Sequence, residues 1–379
     1  MRKKKKNAAL LTMAEKFRNS AIPECPYFGR CGGCLFQDIA YEQQLLLKQE
    51  LMQSVFDGIL TVDPVTPSPL PYGYRNRMDY VTSFGKKGLR EQGSFKFVVD
   101  IEDCPLLQPR SRELWKSMRL ATAPLEDYNY ISHNGFLRYI VLRQAYFTGE
   151  TMASFVITGE SLPDDFSLSS PLPCTSFNLL QNSSITDSSY APVIKNIGSQ
   201  AITEKFDDSF FTIQPNSFFQ SNSPVALEVY RIIREHVRGD TLDLYCGVGS
   251  IGIYCANKCD SVTGVEINPE ACESARDNAA MNKLDNVSII CADAADLDPA
   301  AKKFETVILD PPRSGLHPKL YKILESLSPA RIIYMSCNPA TFKTDLEALT
   351  NYSLDYFKVF DMFPQTPHCE SLAILDRKK

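Results

Sequence analysis

Along this chain the spacing of apolar residues changes its period twice. Between Tyr41 and Phe56, Leu45, Leu46, Leu51 and Met52 supply one apolar side, which predicts a helix. The next stretch, VDPVTPSPLPYGY, holds four prolines. Proline fixes φ and lacks a backbone donor, so neither a helix nor a central strand continues there. From Tyr74 to Lys195 the segments MDYVTSF, SFKFVVDI, LRYIVLRQAYF and MASFVITG are short, rich in β-branched and aromatic residues, and partly alternating. They predict strands and turns, hence a β-rich domain. GESLPDDFSLSSPLP reads as a loop. After Phe210 the pattern changes again. Ser223 to His236 reads as a helix. TLDLY, a glycine loop, a helix, SVTGVEI, PEACESARDNAAMNK, NVSIICAD, FETVILD, a helix around Leu320 to Leu327 and RIIYMSC then follow. Such alternation predicts βαβ units around a mostly parallel sheet, so the fold class is α/β. The last segment, VFDMFPQTPHCESLAILD, reads as strand, turn, strand along the sheet edge.

The sequence has 379 residues and is 44% hydrophobic. A single core stops growing at roughly 250–300 residues, so two cores are expected. The boundaries follow the pattern: a basic arm over 1–20, a central domain over 21–206 and a C-terminal domain over 207–379. No apolar run approaches the roughly 20 residues that span a bilayer. The residues after Lys6 are soon interrupted by Glu15, Lys16 and Arg18, which argues against a signal segment and for a cytoplasmic protein. A net charge of −5 does not mark a nucleic-acid binder. Arg2, Lys3, Lys4, Lys5 and Lys6 form a cationic arm that suits phosphates or simple solubility. Twelve cysteines in a long chain without a secretory signal do not predict a disulfide scaffold. Cys174, Cys255, Cys259, Cys272 and Cys291 read as buried small apolar residues.

Asp243-Leu-Tyr245-Cys-Gly247-Val-Gly249-Ser-Ile-Gly252 ends a strand and opens a helix. Glycines there let the backbone turn tightly and approach a ligand. The lysine and hydroxyl of a phosphate-binding loop are absent after Gly252. The pattern admits a dinucleotide or S-adenosylmethionine. Asp243 favours the latter, because an anion there repels a pyrophosphate and attracts an ammonium or sulfonium. Glu266, ending the next strand, suits ribose hydroxyls, and Asp293 suits an adenine amino group. Either acid also reads as a helix cap.

Asp310-Pro-Pro-Arg313-Ser-Gly315 follows one strand, and Met335-Ser-Cys337-Asn338-Pro339 ends the next. Asp310 and Cys337 thus fall at the carboxyl edge of the sheet, where ligands of such folds bind. Glu370 stands at the start of the final strand, with His368 nearby as a second candidate base. Amine methyltransferases carry an aromatic ring after two prolines. Here Arg313 holds that place, which argues against amine methylation.

These motifs resemble those of the RNA 5-methyluridine methyltransferases. The resemblance runs from the early cysteines to Glu370, and rests most on DPPRSG, SCNPATFKTDL, HCES and FTIQPNSFFQSN. It implies a Rossmann-like class I methyltransferase domain, S-adenosylmethionine as methyl donor, Cys337 as nucleophile and Glu370 as base. It places Gln220, Glu266 and Asp310 in the binding site. It also implies the short form, since the residues before Cys25 leave no room for the small β-barrel domain of many relatives. The expected substrate is 23S rRNA, with tRNA as the alternative; a noncatalytic RNA binder is the rival reading.

Cys25, Cys31 and Cys34, with distant Cys104, offer four soft ligands. Four thiolates suit zinc or an iron–sulfur cluster, and the spacing leaves both open. The resemblance implies a [4Fe-4S] cluster. Arg75, Arg77, Arg138, Phe218 and Arg313 are candidates for RNA contact, because rings interleaved with cations suit unpaired nucleotides.

Overall fold

The computed structural model describes residues 12–164, 166, 173–300 and 302–379. The cationic arm and part of the GESLPDDFSLSSPLP segment lie outside the described residues. Two seven-stranded sheets dominate. The first has the order β3-β2-β1-β4-β5-β6-β7, with strands at Arg77–Ser83 (β1), Lys86–Arg90 (β2), Val98–Asp100 (β3), Leu137–Gln144 (β4), Thr151–Ile157 (β5), Ser176–Gln181 (β6) and Val193–Gly198 (β7). It is antiparallel apart from the β5–β6 pair. A hairpin of Ile202–Phe206 (β8) and Ser209–Ile213 (β9) follows.

The second sheet comprises Asp240–Leu244 (β10), Ser261–Glu266 (β11), Val287–Cys291 (β12), Thr306–Leu309 (β13), Arg331–Ser336 (β14), Tyr352–Phe360 (β15) and Glu370–Arg377 (β16). Its order is β12-β11-β10-β13-β14-β16-β15, parallel except that β16 runs against both neighbours. The inner strands β13 and β14 are buried throughout, as expected for strands covered on both faces. Helices Pro269–Met281, Pro318–Leu327 and Pro339–Ala348 start at the carboxyl edge. Each has proline at its first position, behind a capping Asn268, His317 or Asn338. A side-chain cap and an N1 proline are the local instruction to begin a helix there.

The predicted Tyr41–Phe56 helix is present. It packs on the second sheet: Met52, Phe56, Val62 and Val65 share a core with Leu242, Val307, Phe342 and Ala373. The proline-rich stretch is extended, and Thr66 exchanges backbone bonds with Val359 and Asp361 at 2.8 and 2.9 Å. Two features depart from the sequence reading. Pro109–Ala121 is a helix inside the region read as strands and turns, with Leu114, Trp115 and Met118 buried against the first sheet. Cys291 is exposed, because β12 is an edge strand. Among the described residues no helix is long and apolar enough to cross a membrane.

Candidate active site

The glycine loop turns sharply at Tyr245, Gly247 and Gly249, all at positive φ. Gly252 is needed for a different reason. Its N–H donates to Asp243 Oδ2 at 3.0 Å, and a Cβ would stand 2.8 Å from that same oxygen. Asp243 is buried beneath the loop, its Oδ1 has no partner, and burial pushes its carboxyl up to about 7. An orphaned buried acceptor under a glycine loop fits a cationic group of a ligand. Glu266 receives the N–H groups of Gly247 (3.1 Å) and Asn268 (2.8 Å). It lines a cavity of about 170 Å³ with Gly247, Val248, Gln214, Asn216 and Phe218. Asp293 uses one oxygen to cap a short turn at Ala295 N, 2.8 Å away.

Asp310 follows β13 and is half-buried. Gln220 Nε2 donates to its Oδ2 at 3.3 Å. Gln220 is itself held, since Asn76 Nδ2 donates to its carbonyl at 2.7 Å. Cys337 leaves β14, the next strand in the sheet, and Glu370 opens β16, the strand beyond it. Ser336 and Ser371 are paired across these strands, so the next positions outward are Cys337 and Glu370. Glu370 is buried and its Oε1 has no partner. Burial raises its carboxyl pKa well above the usual range, the Asp310 charge adds to this, and Arg313 opposes it. Burial likewise raises the Cys337 thiol, Glu370 and Asp310 adding their charge while Arg313 lowers it. Cys337 immediately precedes the cap of the Pro339–Ala348 helix, and a helix N-terminus favours a thiolate. Asn338 Nδ2 donates to the Arg313 carbonyl at 2.7 Å, which fixes the arginine beside this turn.

A cleft of about 800 Å³ opens in front of Arg313 and His368. Arg75, Arg77, Tyr190, Phe95 and Phe218 also line it, so it runs between the two sheets. Phe218 is 62% exposed, whereas its neighbour Phe219 is buried. Burial lowers the pKa of His368, and so do the charges of Arg313 and Lys48.

The C-terminal half, residues 194–378, matches the family model described as tRNA (Uracil-5-)-methyltransferase. The tRNA (uracil(54)-C(5))-methyltransferase of Pyrococcus furiosus is 38% identical over 99% of this chain and 90% of its own length. That of Pyrococcus horikoshii is 42% identical over 93% of this chain and 85% of its own. The chain belongs to the tRNA (uracil-5-)-methyltransferase family. It is an S-adenosylmethionine-dependent RNA (uracil-C5-)-methyltransferase. Among solved structures, the Pyrococcus abyssi tRNA (uracil-54, C5)-methyltransferase in complex with S-adenosyl-L-homocysteine superposes with a TM-score of 0.82 at 38% identity, covering 90% of this chain and 85% of that one. The C-terminal domain therefore has the Rossmann-like methyltransferase fold. The expected 23S rRNA target finds no support in these relatives, whose names specify tRNA.

For a methyltransferase of this family, the RNA-facing candidates divide sharply. Arg138 is corrected: it is fully buried, and its guanidinium donates to the carbonyls of Asn182, Ser184 and Thr186. All of β4 is buried, so an arginine on it must find internal acceptors and cannot reach an RNA. Arg77 reaches the cleft, paired with Asp79 at 2.8 and 3.0 Å and lying over the Tyr190 ring. Arg75 lines both the cleft and a second, smaller cavity.

Cys25, Cys31, Cys34 and Cys104 all line that second cavity. Burial raises all four thiols, Cys34 and Cys104 up to about 12, and each of these two is raised further by the other cysteines. Among the described residues no three His, Cys, Asp or Glu side chains are gathered as ligands for a single metal ion. Arg143, a second arginine of β4, is buried across the strand pair from Arg77 and gives its donors to the carbonyls of Gln214 and Ser217. Sequence reasoning missed the polar residues that tie the Tyr41–Phe56 helix to the segment preceding Glu370. On a helical wheel these look like a solvent face.

Proposed function

We propose that this enzyme methylates carbon 5 of a uridine in tRNA through a covalent adduct on Cys337. The observation that carries the proposal is the cross-strand adjacency of Cys337 and Glu370 at the sheet edge, with Asp310 and Arg313 beside them. Carbon 5 of uracil is a poor nucleophile. Addition of the Cys337 thiolate to carbon 6 breaks the 5,6 double bond and makes carbon 5 enolate-like. S-adenosylmethionine, when bound, supplies an electrophilic methyl group on a sulfonium. Carbon 5 takes that methyl, Glu370 removes the remaining proton from carbon 5, and the double bond re-forms as the Cys337 thiolate leaves. Arg313 favours the ionised form of both groups.

Tyr245, Gly247, Gly249, Glu266, Asp293 and Gln220 would line the donor, with Asp243 meeting a positive group from below the loop. Asp310 stays close to the reacting atoms. Arg75, Arg77 and Phe218 would meet the RNA. A uridine stacked in a helix hides carbon 6, so the target is flipped out or already lies in a loop. The preference for tRNA rests on the names of the relatives above, with 23S rRNA as the reading it replaces.

The four cysteines line one cavity, and four soft donors there would suit a [4Fe-4S] cluster. Bound iron would offset the burial that keeps their thiols protonated. The cluster would hold Cys25–Cys34 to Cys104, and no reaction step passes through it.

RNA bearing 5-fluorouridine tests the mechanism. Fluorine cannot leave as a proton, so the native enzyme should form a donor-dependent covalent adduct that survives denaturation, and Cys337→Ala should form none. Absence of the adduct with native enzyme, or turnover by Cys337→Ala, overturns the reading. Mapping 5-methyluridine in tRNA and rRNA with and without the protein decides the substrate.

A further inference from the structure

Gln365 sits in the segment between β15 and Glu370 in a left-handed backbone conformation, φ 68°, and is buried. A non-glycine residue holds that conformation only where its surroundings over-determine it. Those surroundings come from the other end of the sequence. Gln44, buried on the Tyr41–Phe56 helix, accepts the Gln365 N–H at 3.0 Å and donates to Gln365 Oε1 at 2.9 Å. The Gln365 carbonyl accepts the N–H groups of both Leu35 (2.9 Å) and Phe36 (3.1 Å). Leu35 directly follows Cys34, so the cysteine segment is fastened to the same carbonyl. Gln44 is fastened in turn, its two Nε2 hydrogens shared among Gln365 Oε1 and the carbonyls of Phe36 (3.0 Å) and Ile39 (2.9 Å).

We infer that Gln44 and Gln365 form a latch through which the N-terminal segment sets the position of the Glu370 carboxylate. Gln44 touches no reacting atom; it is a positioning residue. Four residues separate Gln365 from Glu370, and a displacement of about 1 Å at a catalytic group can cost on the order of 100-fold in rate. The inference rests on Glu370 being the base. It adds a consequence that general destabilisation does not share. A misplaced base slows only the proton removal, after the methyl has moved, so the methylated Cys337 adduct on ordinary RNA should build up.

The test compares Gln44→Ala, Gln365→Ala and Glu370→Gln with native full-length enzyme on unmodified tRNA. Turnover of the latch variants should fall on the order of 10- to 100-fold. KM for S-adenosylmethionine should stay within about twofold while the denaturation-resistant adduct rises, as expected for loss of transition-state interactions alone. Circular dichroism identifies any variant that fails to fold. Gln365→Ala keeps the backbone bonds, so it serves if Gln44→Ala does not fold. If Glu370→Gln accumulates adduct and the folded latch variants do not, the latch is wrong and the base assignment stands. If Glu370→Gln also fails to accumulate it, the base assignment falls and takes the latch with it.

Discussion

Ser371 Oγ donates to the carbonyl of Ser336 at 3.1 Å, across two strands that run in opposite directions. That register sets a thiol at the end of one strand beside a carboxyl at the start of the other. A one-residue slip of β16 would turn Glu370 to the opposite face, away from Cys337. Among the described residues, β16 alone runs against the common direction of its sheet, so the reversed strand brings the acid in from the side of the cysteine.

Glu370→Gln should stabilise the protein while stopping turnover. A buried carboxyl with an unpartnered oxygen costs on the order of 1–3 kcal/mol. Its folded pKa is raised, so the folded state holds a proton that the unfolded state has lost. The stability this proton represents is complete below the unfolded pKa and is lost as pH rises towards the folded value. The melting temperature of Glu370→Gln should therefore exceed that of native enzyme at pH 8, and the gap should shrink at pH 5. A constant gap would refute the ionisation argument.

Arg313→Gln should move the rising limb of the pH–rate profile to higher pH. Cys337 and Glu370 both act deprotonated, and the Arg313 charge lowers both pKa values. The rate deficit of the variant should be larger at pH 7 than at pH 9. An equal deficit at both values assigns Arg313 to substrate binding alone.

Lys48→Met should destabilise the fold by about 3–5 kcal/mol, the usual cost of breaking a buried pair from one side. Lys48 and Asp361 are both fully buried and joined to each other, and Lys48 also donates to the Phe363 carbonyl at 3.1 Å. Tyr41 OH donates to the other Asp361 oxygen at 2.9 Å, but it cannot neutralise the charge. Urea denaturation measures the loss; a change under about 1 kcal/mol, the range of exposed pairs, would show the pair to be dispensable.

Gly252→Ala should weaken donor binding. The added methyl meets Asp243 Oδ2 at 2.8 Å and Val262 Cγ1 at 2.9 Å, so the loop must move. Calorimetric titration with S-adenosylhomocysteine should show at least roughly tenfold weaker binding, about 1.4 kcal/mol. Unchanged affinity would mean that the loop does not contact the donor.

The C-terminal sheet was legible because its signals are local. Strand and helix alternate, Asn-Pro pairs mark helix starts at 268–269 and 338–339, and buried parallel strands read as continuous apolar runs. Cys337 and Glu370 were proposed from their motifs, and their place at the sheet edge could be read from the order of the strands. Contacts distant in sequence left no such trace. Gln44 and Lys48 look like the wet side of a helix, yet their partners lie 321 and 313 residues away. Arg138 was misread because cations among aromatic residues suggest an RNA surface, whereas both faces of β4 are covered, one by the core of Ile140 and Leu142 and the other by the core of Tyr139 and Val141. The Pro109–Ala121 helix escaped because its apolar residues are few and lie among charges.

The Lys48–Asp361 pairing also bears on how the chain is made. At about 5–20 residues per second, a ribosome needs roughly 15–60 s to pass from the lysine codon to that of its aspartate. Throughout that interval the nascent helix carries a cation and the apolar ring of Phe56 with no completed sheet to receive them. Chaperone demand during synthesis should therefore concentrate on this early segment, and be relieved only when the final strands emerge.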